Sequence, residues 1–340
     1  MTGVLFPEFE DSDRYETAGR RIIEINMKKQ LFDDGGSKEG CPSYSHFIAR
    51  MYLEVYLLLE KNSLPTISGL EECIKKQYTW LYQMTPPTGK TLQIGDSYAL
   101  DAERDIATAA SVMELNLPNE RCSVLFEESR FAALRNERFD VFIDAMDRTQ
   151  GHQHFGRPHI TAFCEKKPLL IDTGCCVYDR KDFRNFLMSA EAHNTILITS
   201  PDTGAILSDS TNTSIDVTGF DMVGENQQIV LETKGEGFAW KRMMSIEGKR
   251  LKIYDSVNSD TPLVCTLMLH FAPTKATLVS SCEAALFLKD KDIKITLDSG
   301  SEGFKMEVHP AMDDQNGFFY STVLSTKAEG TRVEFCILLE

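Results

Sequence analysis

A change of hydrophobic period part-way along this chain constrains its fold more than any other feature. Up to about residue 115 apolar residues recur at helical spacing, and beyond about residue 120 they alternate in short runs. Side chains return to one face about every 3.6 residues in a helix and about every 2 in a strand. A chain with both patterns in succession builds two kinds of layer. In "RYETAGRRIIEINMKKQLF" the residues Ile22, Ile23, Ile25, Met27 and Leu31 follow a helical stripe, and in "SYSHFIARMYLEVYLLLEKN" Phe47, Met51, Val55 and Leu58 follow another. Ser68 with Glu71 three places later reads as a capping box opening the helix of "SGLEECIKKQYTWLYQM". "DAERDIATAASVMEL" is a further helix. The loops "DDGGSKEGCP" and "TPPTGKTLQIGD" join these helices into hairpins. Then come "DVFIDAM", "PLLIDTG", "NTILITS", "QQIVLETKG", "RLKIYDSV", "TLMLHFA", "KITLDS" and "RVEFCILLE", short and β-branched, which predict an antiparallel β-sandwich. The change falls at "NLPNERCS", so the expected domains are 1–118, helical, and 119–340, all strand.

Composition excludes some functions. The chain has 340 residues, enough for two domains of roughly 100–200 residues each. Its formal charge is −15, and no dense run of Lys and Arg interrupts it, which argues against nucleic acid as a partner. An acidic ligand would need a local cluster of basic side chains. No apolar run approaches the roughly 18 residues of a membrane span, so no membrane partner is expected. The first residues, "MTGVLFPEFEDSDRYE", do not read as a signal peptide, which suggests the cytoplasm, or the periplasm or secretion if a longer chain precedes them. Nine irregularly spaced cysteines read as reduced thiols rather than a disulfide framework.

The chemistry concentrates in "DRTQGHQHFGRPHITAF", which holds three of seven histidines: His152, His154 and His159. On a strand, His152 and His154 would face the same side. With Asp172 of "PLLIDTG" and His193 of "AEAHNTILI" they supply the donors of a zinc site with two His and one Asp, and a polar loop rich in histidine is the alternative. Tyr44 follows a Gly-rich loop at the start of a helix; it reads either as a proton donor or as a ring packed at a helix end. Gly95-Asp96-Ser97 in "LQIGDSYAL" reads as a turn and N-cap.

Taken in order, "LFPEFEDSDRYETAGRRII", "QLFDDGGSKEGCPSYSHF", "IGDS", "GHQH", "PLLIDTGCCVY" and "AHNTILI" resemble the heparinase II/III-like polysaccharide lyases and the related alginate and oligoalginate lyases. The resemblance implies an α+β multidomain fold: a partial α/α toroid followed by an antiparallel β-sandwich domain. It implies β-elimination on an acidic polysaccharide or oligosaccharide containing uronate. It assigns Tyr44 as acid and base, His152 as base or charge neutraliser, and His154, Asp172 and His193 as ligands of a zinc ion with a structural role. Tyr178, Arg184 and Asn194 fall in matching segments and are expected to contact substrate. Gly156 stands where the family usually carries an Asp. The first half of the toroid has no counterpart, so an upstream segment or a second copy completing the ring is expected. A carbohydrate-binding member without catalysis, and a zinc hydrolase, are the other readings.

Overall fold

The computed structural model describes the chain except residues 148–150, 177–179, 210–211, 225, 289–290, 299–300, 314 and 316, and the side chain of 291. Among the described residues there are six α-helices: α1 (Thr2–Leu5), α2 (Ser12–Gln30), α3 (Pro42–Lys61), α4 (Leu70–Met84), α5 (Ala102–Val112) and α6 (Lys181–Met188). Five precede the first strand, Val124–Phe126, so the secondary structure changes type between Val112 and Val124. None is long and apolar enough to cross a membrane.

Local sequence explains how the helices begin. Pro42 opens α3, where its missing N–H removes no helical bond. The capping box expected at Ser68 does not form. Gly69 is the N-cap instead, at φ 77°, and α4 starts at Leu70 with no side-chain cap. Ser68 therefore stands one place too early, and the left-handed turn that glycine tolerates sets the entry direction.

The buried faces of α3, α4 and α5 supply Leu53, Leu70, Ile74, Tyr78, Leu81 and Ile106 to one core, which Phe126, Phe131, Phe142 and Phe163 from the strands complete. Trp80 lies between the two groups, edge-on to Phe131 at 5.3 Å. Each large side chain buried in this way contributes about 1.5–3 kcal/mol. Helices and strands therefore share a core, which fixes the loops at their junction.

The strands form one connected antiparallel network. Val124–Phe126, Phe131–Arg135, Phe139–Asp144, His159–Cys164 and Lys167–Leu170 meander into the long strand Arg250–Phe271, which pairs along its length with Phe318–Leu339. Phe238–Glu247 and Ile196–Thr199 also pair with Arg250–Phe271. The sequence suggested two strands at "RLKIYDSV" and "TLMLHFA", but they are one strand of 22 residues. A register shift between Asn258 and Leu263 bends the pairing without ending it, so the polar residues there sit on a bulge rather than in a turn. Behind the site, Arg242 and Asp255 form a fully buried ion pair at 2.8 Å, with Trp240 Nε1 also donating to Asp255. Arg242 donates further to the carbonyls of Pro158 and Asn194, holding both functional loops.

Candidate active site and metal centre

The site lies where the helical segment meets the strands. Tyr44 sits in the first turn of α3, half-buried. The backbone N–H of Ser43 donates to Ser97 Oγ at 2.8 Å, pinning this helix start to the Gly95–Ser97 loop. His152 and His154 occupy the loop between Phe139–Asp144 and His159–Cys164, not a strand as expected. They nonetheless face one point, because both ring systems bond one carboxylate.

That carboxylate is Asp96. His152 Nδ1 lies 3.1 Å from Asp96 Oδ2, and His154 Nε2 lies 3.1 Å from Oδ1. Arg184 donates to both oxygens, at 2.8 and 2.7 Å. The Asp96 N–H donates to the His152 carbonyl at 2.9 Å. At Gly95, φ is +64° and a Cβ would stand 2.7 Å from that carbonyl, so glycine is needed for the approach. Burial alone would raise the Asp96 carboxyl, but the hydrogen bonds from His154 and Arg184 outweigh it and hold the group well below the usual carboxylate range. Asp96 is therefore ionised and orients the His152 ring.

The Tyr44 ring stacks on His152, with centroids 4.3 Å apart and planes 26° from parallel. His152 Nε2 lies 3.8 Å from Glu39, and its side chain keeps 29 % of its exposure while His154 keeps 3 %. The Tyr44–His152 pair thus meets solvent, and everything behind it is dry.

One step deeper, His154, Asp172 and His193 each offer a donor atom within 4.8 Å of the others. All three are buried. Proton bookkeeping shows what they offer. His154 Nε2 points at Asp96, so that nitrogen carries the hydrogen and Nδ1 holds a lone pair. His193 Nδ1 points at Asp172 Oδ2 at 3.1 Å, which leaves the lone pair on Nε2. Those two nitrogens, His154 Nδ1 and His193 Nε2, are among the buried side-chain atoms without a hydrogen-bond partner. Two orphaned imidazole lone pairs beside a carboxylate suit a divalent ion such as zinc, so the donor set fits the metal that the sequence suggested.

His159, to which the sequence assigned no role, belongs to this centre as a support. Its Nδ1 accepts the Asn194 N–H, so its Nε2–H faces Asp172 Oδ2 at 3.2 Å. Burial pushes His159 down to about 3, so it is neutral and acts on Asp172 through this hydrogen bond. Burial would raise Asp172, but the adjacent His193 and His159 bring it down to about 2. The carboxylate is thus ionised and oriented before any ion arrives.

Two substrate-contact expectations are corrected by packing. Asn194 is fully buried, and its amide is spent: Nδ2 donates to the Ile160 and Ile171 carbonyls, and Oδ1 accepts the His270 N–H. It braces the segment carrying His193 and has nothing to offer a sugar. Arg184 directs its guanidinium inward to Asp96, so it orders the site from behind. Tyr178 lies outside the described residues. The residues that sequence reasoning missed are Asp96, Glu39 and the supporting role of His159. Asp96 was hidden because a Gly-Asp-Ser loop reads as a turn, and only its burial reveals the partners it must have.

Gly156, where an Asp was expected, has φ +77°, and a Cβ there would lie 3.0 Å from Ala190 Cα and 3.1 Å from His193 Cβ and Cδ2. The positive φ and the close passage of this loop over His193 disfavour an Asp.

Comparison with known proteins bears on the family and the fold. Residues 1–119 match the family model described as "Heparinase II/III N-terminus", and residues 118–333 match "Heparinase II/III-like, C-terminal". A heparin-sulfate lyase of Pedobacter heparinus is 28% identical over 224 residues, 58% of this chain and 34% of that protein. A solved heparinase III superposes with TM-score 0.85 at 14% identity, over 99% of this chain and 59% of its own. The heparan sulfate lyase structure from Pedobacter heparinus gives TM-score 0.81 at 15% identity, over 99% of this chain and 57% of its own. At these identities the structures share a fold, and this chain spans under three fifths of their length. Because the two family models together run through nearly the whole sequence, the chain belongs to the heparinase II/III-like family.

Proposed function

We propose that this chain supplies the acid–base half of a glycosaminoglycan lyase, breaking the bond to a uronate by β-elimination. The observation that carries this is the Tyr44–His152 stack, open to solvent on one side and tied to an ionised aspartate on the other. The C5 proton of a uronate is weakly acidic because charge can spread into its carboxylate. A base removes it, the C4–O bond breaks, and the leaving oxygen takes a proton. With Nδ1 bound to Asp96, His152 presents Nε2 to the cleft, as a base when neutral and as a neutraliser of the uronate when protonated. Tyr44, against the same ring, delivers the proton to the leaving oxygen. Glycosaminoglycan is favoured over alginate because the curated relative is named a heparin-sulfate lyase.

In this reading the helices form part of an α/α toroid and the strands a β-sandwich domain, with the substrate lying at their junction. Zinc is held by His154, Asp172 and His193 and ties the loops together; its chemistry there is charge compensation and cross-linking. His154 connects that ion to the Asp96 carboxylate that orients His152.

The test is ultraviolet absorbance of unsaturated uronate on incubation with heparan-type chains. Turnover is expected, and Tyr44→Phe is expected to lower kcat about 10²–10⁴-fold while thermal stability stays unchanged. A folded, zinc-loaded protein that gives no such absorbance on any uronate polymer refutes the lyase reading.

A further inference from the structure

A cavity of about 350 Å³ opens near the Asp96 loop, walled by Tyr98, Cys175, Cys176, Phe183, Met312 and Phe318, with Arg180 also lining it. This volume is in the range that takes one sugar ring. Three connections join it to the site. Tyr98 lies two residues after Asp96. Cys176, two residues from Gly174 whose N–H caps Asp172, presents its carbonyl to Arg184 Nη1 at 3.4 Å. The short helix α6 carries Arg184 inward to Asp96, and Arg180 stands one turn earlier, so the anchored end of the helix places the exposed one.

The lining has the two properties that recognise a charged sugar. Phe183 and Phe318 meet edge to face at 5.7 Å, and Phe318 meets Tyr320 at 5.0 Å. Phe318 and Tyr320 are 51% and 61% exposed, a costly display of aromatic surface unless a ring covers it. Arg180 is exposed, and among the described residues no carboxylate pairs with it. On a chain with a formal charge of −15, an unspent guanidinium at the mouth of an aromatic pocket is a local exception suited to an anion.

We propose that this cavity is a subsite for the sulfated hexosamine next to the cleaved uronate, with its ring against Phe318 and its sulfate on Arg180. The inference rests on the lyase reading. When the uronate sits at Tyr44 and His152, the sugar beside it in an alternating chain is the hexosamine, and the anionic group on a hexosamine is a sulfate.

The experiment compares sulfated and fully desulfated heparan tetrasaccharides on the wild type, Arg180→Ala, Arg180→Lys and Phe318→Ala. Binding is read by calorimetry in the Tyr44→Phe background, and turnover by absorbance without it. Arg180→Ala is expected to weaken binding and raise KM about tenfold for the sulfated ligand only. Arg180→Lys is expected to restore part of the loss, and Phe318→Ala to weaken binding and raise KM for both ligands alike. Arg180 is exposed, so its loss leaves the fold intact. An equal effect on both ligands, or none, overturns the subsite. Arg180-dependent binding without cleavage upholds the subsite and refutes the lyase reading. Cleavage indifferent to Arg180 does the reverse, and neither binding nor cleavage refutes both.

Discussion

Asp96 holds one Arg and two His side chains on two oxygens, almost without water. Asp96→Asn keeps the shape and removes the charge, leaving the Arg184 guanidinium buried without its counter-ion. The expected cost is about 3–5 kcal/mol of stability, with a loss of kcat because the His152 ring is no longer held. Chemical denaturation and steady-state kinetics on the one variant check both effects. A variant as stable and as active as its parent would show that Asp96 is incidental. Tyr44, His152, His154, Asp172 and His193 could be picked out because each stands in a short, recognisable word of sequence, and the structure brings them together. Asp96 was not read as part of the site, since its bidentate partner, Arg184, lies 88 positions away and "IGDS" reads locally as a turn. Asn194 misled in the opposite direction: it stands next to His193, but its amide closes backbone gaps instead of facing the cleft.

Among the elements, the loop carrying the two histidines depends on its backbone as much as on its side chains. Gly156 shows this. Replacing it by Ala forces a left-handed conformation that costs about 1–2 kcal/mol and presses a methyl group onto His193. Gly156→Ala is expected to lower the melting temperature and reduce bound zinc per chain, measured by plasma mass spectrometry on protein refolded with the metal. Full zinc content at an unchanged melting temperature would show that the loop has room. The helices and most strands could be read from period alone, because a buried face imposes its spacing directly on the residues that fill it. The join of two strand segments into Arg250–Phe271 could not. A bulge and a turn use the same polar residues, and only the partner strand decides between them.

Over the whole molecule, acid sensitivity follows from histidines kept neutral in the core. His270 is fully buried, and burial lowers it to about 3 from an ordinary value of 6.5. Its depressed value means that the unfolded chain takes up a proton below about 6.5 while the folded chain refuses it until about 3. The stability it contributes is complete above 6.5 and is lost as the pH falls through that window. His270→Gln retains a donor for the Glu191 carbonyl and removes the titration. Between pH 7 and pH 4 the metal-free wild type is expected to lose about 2–3 kcal/mol more than this variant, read from urea midpoints at each pH. Parallel losses would assign the acid sensitivity to other groups.

The long pairing of Arg250–Phe271 with Phe318–Leu339 also matters while the protein is being made. One edge of the first strand is covered early by its hairpin neighbour, Phe238–Glu247. Its other edge waits for residues as far away as Leu339, the partner of Leu251, roughly 90 positions later. At about 5–20 residues per second, a ribosome takes several seconds to deliver them. During that interval the nascent chain carries an open strand edge with Ile253, Val257 and Leu263 beside it, the kind of edge on which neighbouring chains pair and precipitate. Expression yield should therefore depend on how fast the codons for residues 251–339 are read, independently of anything at the active site.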